Sequence, residues 1–249
     1  MSKLYAIADT LRAIAGVAKN RRTAAIIVAA GSSERMGKPK QFIPLCGIPA
    51  VVRTLMAYQA SSLITSIIVV ARECDIERYE KYKKAYSITK LCAVVKGGST
   101  RQESVLRGVE AVPKKTAYVA IADGARPLTT AETIDRVCLA AYRFGAASAA
   151  FPAYDTIKTA DKKGFIASTV ERSTVWHAAT PQVFSLDLYR AAAYSAKDEG
   201  FVATDDNSLV EHIGHRIKLV DCGRENIKLT ERHDVTMCEA IIKQREAGK

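Results

Sequence analysis

Five apolar runs recur between residues 24 and 153: "AAIIVAA" (24–30), "SIIVVA" (66–71), "LCAVV" (91–95), "AYVAIAD" (117–123) and "AASAAFPA" (146–153). Helical patterns separate them, starting near Pro49, Asp75, Arg101 and Thr130. This alternation is the strongest constraint on the fold. Strands without a polar face are buried on both sides, as in a parallel sheet sandwiched between helices. The pattern predicts an α/β fold, doubly wound around a mostly parallel sheet. Pro49 suits a first helical turn, and the threonine of "TAET" at Thr130 suits a cap.

The alternation breaks over 154–175, "YDTIKTADKKGFIASTVERSTV", where Thr, Ile and Val alternate with polar residues around a "DKKG" turn. Period-two patterning around a turn predicts a β-hairpin. A hairpin leaving a parallel sheet has no core of its own to join, so it reads as an arm that packs on a second subunit. Helices near Ser185 and Asp205, a strand "RIKLVD" and a last helix from about Glu231 complete the chain. Residues 23–249 are therefore expected to form one domain. Residues 1–22 precede it as a helical extension, with Leu4, Ile7, Leu11 and Ile14 at helical spacing. That stripe suits a helix packed on the domain, and also one on a membrane surface or a partner.

Lys and Arg outnumber Asp and Glu by 37 to 26, giving +11, so anionic partners are expected: nucleotides, sugar phosphates, nucleic acid or acidic lipid. The cations fall in loops between elements rather than in a basic tail or along one helix face, which ranks nucleic acid last. No apolar run reaches membrane-spanning length, and the N-terminus carries no secretory pattern. The six cysteines, at 46, 74, 92, 138, 222 and 238, include no C-x-x-C and no zinc-type grouping. A soluble protein of a reducing cytoplasm is expected. His177, His212, His215 and His233 are assigned no role.

The first strand runs into "AAGSSERMGKPKQF", small residues followed by Arg35, Lys38 and Lys40. Open α/β sheets bind ligands at the carboxyl ends of their strands. A dinucleotide fingerprint would need glycine where Ser33 and Met36 stand. A Walker loop needs four residues between its glycines, whereas Gly31 and Gly37 are separated by five. What remains is a small-residue loop whose backbone N–H groups and cations can line a polyphosphate, and a solvated basic loop fits the same composition.

Six further segments follow in order: "GGSTRQESV" (97–105), "DGARP" (123–127), "DTIK" (155–158), "WHAATPQVF" (176–184), "ATDDNSLVE" (203–211) and "ENIKLT" (225–230). With the loop after the first strand, this ordered set resembles the 2-C-methyl-D-erythritol 4-phosphate cytidylyltransferase family from about Ala24 to the last helix. The resemblance implies transfer of a cytidylyl group from CTP to a polyol phosphate with release of pyrophosphate, in isoprenoid precursor synthesis. It implies that Arg35, Lys40 and Lys228 stabilise charge around the α-phosphate. Ala29, Ala30, Gly31, Gly98, Arg101 and Ser104 would hold the nucleotide. Arg126, Thr156, Arg172 and Thr204 would hold the acceptor, Thr156 and Arg172 reaching into the neighbouring subunit of a homodimer. Asp123 would be associated with Mg²⁺ and the phosphates. Asp205 and Asp206 suit a first helical turn as well, and Ser99 or Thr100 suits a helix cap. A cytidylyltransferase acting on another polyol phosphate, such as D-ribitol 5-phosphate, shares the nucleotide half. A non-catalytic nucleotide-binding domain is disfavoured by the presence of Arg35, Lys40, Asp123 and Lys228 together.

Overall fold

The computed structural model describes residues 21–31 and 39–248. The helical stripe expected over residues 1–22 lies, up to residue 20, outside them. Eleven strands are present among the described residues. The central ones are β1 (Thr23–Ala29), β4 (Ile64–Ala71), β5 (Leu91–Lys96), β6 (Tyr118–Asp123), β7 (Ala146–Pro152), β10 (Trp176–Ser185) and β11 (Lys218–Asp221). They form one sheet in the order β11-β7-β10-β6-β1-β4-β5. All five expected apolar runs are strands of this sheet, and "RIKLVD" supplies β11.

Helices cover both faces: α1 (Ala50–Ala60), α2 (Ile76–Ala85), α3 (Arg101–Glu110), α4 (Ala131–Phe144), α5 (Leu186–Asp198), α6 (Asp206–His212) and α7 (Arg232–Ala247). Within β1, Ala25, Ile27 and Ala29 join one core with Val51, Leu55 and Tyr58 of α1. Ile26, pointing the other way, joins a second core with Val105 and Val109 of α3 and Tyr189 of α5. Removing a side chain like Ile26 or Ile27 from water is worth roughly 1.5–3 kcal/mol, and a strand fully buried on both faces collects this twice per residue pair. Helix α3 approaches β1 closely because of Gly108: a Cβ there would lie 2.5 Å from Ile26 Cγ2 and 2.9 Å from Val70 Cγ2.

β10 departs from the sequence expectation. The segment around "WHAATPQVF" carries no strand pattern, yet it inserts between β6 and β7, antiparallel to both. Its pattern is obscured because Thr180 and Gln182 are polar and buried, and because Pro181 falls within it. Proline is disfavoured inside a sheet; here it sits where the register with β7 shifts, between Ala178 and Gln182. A short hairpin, β2 (Pro44–Leu45) with β3 (Ile48–Pro49), also forms where no strand is expected. It places Pro49 one residue ahead of α1 rather than in its first turn.

The break over 154–175 is a hairpin: β8 (Lys158–Ala160) pairs antiparallel with β9 (Ile166–Thr169). Asp161 closes its turn, its Oδ1 accepting from the Lys163 and Phe165 amides. Phe165 and Ile166 at the tip are each 70% exposed. No helix among the described residues is long and apolar enough to cross a membrane.

Candidate active site

The carboxyl ends of β1 and β6 lie side by side, with Val28 opposite Asp123. The Asp123 amide donates to Thr180 Oγ1 at 3.2 Å, and the Gly124 amide to the Val28 carbonyl at 2.9 Å. Asp123 is thus held by β10 from one side and β1 from the other. Three cations converge on its carboxylate. Lys228 Nζ lies 3.0 Å and Arg126 Nε 3.3 Å from Oδ2, and Arg101 Nη2 lies 3.9 Å from Oδ1. Burial alone would raise the pKa of Asp123. Lys228, then Arg126, then Arg101 outweigh it and hold the carboxyl below its ordinary value. Asp123 is therefore anionic at neutral pH.

The cations differ in freedom. The side chain of Arg126 is 10% exposed, and its Nη1 donates to the Asn226 carbonyl at 2.7 Å. The side chain of Lys228 is 44% exposed, so it can shift toward an incoming phosphate at little desolvation cost. Asn226 is buried: its Nδ2 donates to the Thr180 carbonyl and its Oδ1 accepts from Thr129 Oγ1, both at 2.9 Å. This asparagine ties the "NIK" loop to β10 and to the "DGARP" turn, which fixes where Lys228 leaves the backbone.

Arg101 bridges to a second acid, its Nη2 lying 2.6 Å from Asp206 Oδ2. Asp206 also accepts from Tyr189 Oη at 2.7 Å, and burial pushes its pKa up against the pull of Arg101. Asp205 is the N-cap of α6, in a reciprocal box with Ser208. Of the two acids, Asp205 caps the helix and Asp206 is a buried partner of the site. Both acids fit a helix start by sequence, and no local pattern signals the Arg101 contact, which joins residues 105 positions apart.

On the far side of β1, Gly97 packs against Ala30: a Cβ at Gly97 would lie 2.5 Å from Ala30 Cβ and 3.0 Å from Ser104 Oγ. The Gly98 amide donates to Ser104 Oγ at 3.0 Å, and Arg107 Nη1 donates to the Gly97 carbonyl at 2.6 Å. Thr100, not Ser99, caps α3, accepting from the Glu103 amide. Glu103 accepts in turn from the Ser99 amide and hydroxyl, each at 2.7 Å. Ala29, Ala30, Gly98 and Ser104 are thereby gathered into a wall of small groups beside the Asp123 cluster. Gly31 follows at the exposed end of the strand.

Lys40 opens a single 3₁₀ turn, Lys40–Phe42, after β1. Arg35, along with Lys38, lies outside the described residues. Arg172, in the 3₁₀ turn Arg172–Thr174 after the hairpin, donates from Nη1 to the Tyr154 carbonyl at 2.9 Å. Thr156 is exposed at the root of the hairpin. Neither shares a hydrogen bond or ion pair with the Asp123 cluster among the described residues. Thr204 Oγ1 lies 3.3 Å from Ser208 Oγ, on the rim of an open cleft of about 380 Å³ that Trp176, Asp205 and Asn207 also line. No group of three His, Cys, Asp or Glu side chains that could hold a metal occurs among the described residues.

Comparison with known proteins gives a consistent result. The model of the family described as 2-C-methyl-D-erythritol 4-phosphate cytidylyltransferase matches residues 23–244. The protein of that name from Pelotomaculum thermopropionicum is 39% identical over 229 residues, covering 90% of this chain and 96% of the relative. The one from Shouchella clausii is 41% identical over 225 residues, covering 90% and 97%. Among solved structures, the 4-diphosphocytidyl-2C-methyl-D-erythritol synthase of Anaerococcus prevotii superposes with a TM-score of 0.82 at 27% identity, covering 92% of this chain and 99% of that one. The 2-C-methyl-D-erythritol 4-phosphate cytidylyltransferase of Thermus thermophilus gives 0.73 at 28%, covering 88% and 98%.

Proposed function

We propose a division of labour among the residues of this chain on the premise that it belongs to the 2-C-methyl-D-erythritol 4-phosphate cytidylyltransferase family. The reaction moves a cytidylyl group from CTP to 2-C-methyl-D-erythritol 4-phosphate, a step in isoprenoid precursor synthesis. An oxygen of the acceptor phosphate attacks the α-phosphorus, and the bond to pyrophosphate breaks. Such transfers require positioned cations more than a nucleophilic side chain. The single observation that carries the reading is Asp123 at the end of β6 with Lys228, Arg126 and Arg101 around it.

Lys228 moves from Asp123 onto the phosphates and, with Lys40 and Arg35, stabilises charge at the α-phosphate. Arg126 uses two of its five N–H groups on Asp123 and Asn226, and its remaining donors suit the acceptor phosphate. Thr204 contributes a hydroxyl to the same acceptor. Arg101 links the nucleotide side to the helix that follows Thr204, and Gly31 lets the chain pass close to the triphosphate. The wall formed by Ala29, Ala30, Gly98 and Ser104 reads the base. Because the Gly98 amide already donates to Ser104, its carbonyl is the group left for the base to donate to. This wall predicts nucleotide choice: initial rates at equal concentration should favour CTP over UTP and exclude ATP and GTP. Faster turnover with a purine nucleotide would overturn the base-pocket assignment.

With no group of three metal-binding side chains among the described residues, Asp123 would hold Mg²⁺ only together with the triphosphate. It would be the protein residue holding the ion, its carboxylate freed in part as Lys228 leaves it for the phosphates. When bound, the ion neutralises the leaving pyrophosphate. Chelation is expected to abolish pyrophosphate release, and Asp123→Asn to raise the Mg²⁺ concentration needed for half-maximal rate. Unaltered metal dependence in that variant would limit Asp123 to holding the cations together.

The hairpin serves as a dimer arm, with Thr156 and Arg172 entering the acceptor site of the other subunit. Its exposed apolar tip at Phe165 and Ile166 supports an intersubunit role. The six free cysteines fit a reducing cytoplasm.

A further inference from the structure

We propose that Gln41 is a positioning residue for Lys40, through a hydrogen bond that fastens the turn carrying Lys40 to the base-reading end of β1. The inference rests on the proposed role of Lys40. Gln41 is the buried member of the three-residue turn, 3% exposed, and its Nε2 donates to the Ala29 carbonyl at 3.2 Å. A buried side-chain amide is ordinarily hydrogen-bonded, and its partner shows what it holds. Here it holds the last residue of the strand whose next residue, Ala30, forms the wall against Gly97.

The other face of the turn is anchored independently. The Phe42 ring lies 5.7 Å from that of Tyr79 and 6.3 Å from that of Tyr82 on α2, and the Arg78 guanidinium sits over it at 4.2 Å. The backbone is closed at both ends, with the Phe42 amide donating to the Pro39 carbonyl at 3.0 Å and the Ile43 amide to the Lys40 carbonyl at 3.2 Å. Phe42 fixes the turn to α2, and Gln41 fixes it to β1. The Gln41 contact ties the Lys40 backbone to the end of β1 that carries the nucleotide wall, so it bears on how an ammonium meets the α-phosphate once the base is seated. An ångström of slack at that distance is costly to catalysis and cheap to binding.

A double-mutant cycle in kcat tests this. Gln41→Met keeps the volume and removes the donor. In the full chain at saturating CTP and 2-C-methyl-D-erythritol 4-phosphate, it should lower kcat about tenfold, with KM for CTP within about twofold of wild type. In a Lys40→Ala background, which is itself strongly impaired, the same change should have almost no further effect, because the residue being positioned is gone. If the losses multiply, Gln41 acts independently of Lys40 and the proposal fails while the role of Lys40 stands. If Lys40→Ala turns over nearly as wild type, the role of Lys40 and the proposal fall together. Should Gln41→Met not fold, Gln41→Asn, which keeps the amide on a shorter reach, is put through the same cycle with the same criterion.

Discussion

Lys228→Ala is expected to lower kcat by at least about a hundredfold, a loss of about 3 kcal/mol of transition-state stabilisation. The thermal midpoint should hardly move. The two halves of the result belong together. Lys228 is one of three cations on the buried Asp123, and its own side chain is 44% exposed, so solvent screens much of what the ion pair contributes to stability. Arg126 and Arg101 remain to compensate the carboxylate after the substitution. The large term arises only when charge develops on the transferring phosphate in a site from which water is partly excluded. A change confined to KM would mean uniform binding of CTP in ground and transition states. A large fall in the thermal midpoint would make Lys228 a structural partner of Asp123 instead.

The second large effect is a recovery. Arg172→Ala and Lys40→Ala chains should each be nearly inactive alone, yet regain activity when mixed under conditions of subunit exchange. If Arg172 completes the partner's site, one of the two sites in each mixed dimer carries an intact Lys40 from one chain and an intact Arg172 from the other. Random pairing makes about half the dimers mixed, so roughly a quarter of wild-type turnover is expected. The physical motive is that Arg172 donates only to Tyr154 at the root of its own hairpin and makes no contact with the Asp123 cluster of its own chain among the described residues. Native mass spectrometry shows whether mixed dimers form. Mixed dimers without recovered turnover would place Arg172 and Lys40 in the same subunit's site and leave the hairpin a structural element.

The sequence by itself determined the layered α/β architecture, because both-face burial writes continuous apolar runs and each lies within a few residues of the strand it predicted. It determined the hairpin too, since a period of two around "DKKG" is a local property. The short segments Lys228, Arg126 and Asp123 were each legible, but not that one carboxylate gathers them. That required the parallel register of β1 and β6, whose partners lie 95 positions apart, and the passage of β10 beside β6, whose partners lie 61–67 positions apart. β10 itself was hidden for the same reason. Its buried Thr180 and Gln182 serve Asp123 and Asp206, so polar residues stand where a strand pattern would show apolar ones. The roles of Asn226, Asp206 and Gln41 were likewise decided only in three dimensions. A buried polar side chain is defined by the partner that satisfies it, and for each of these the partner lies on another element of the fold.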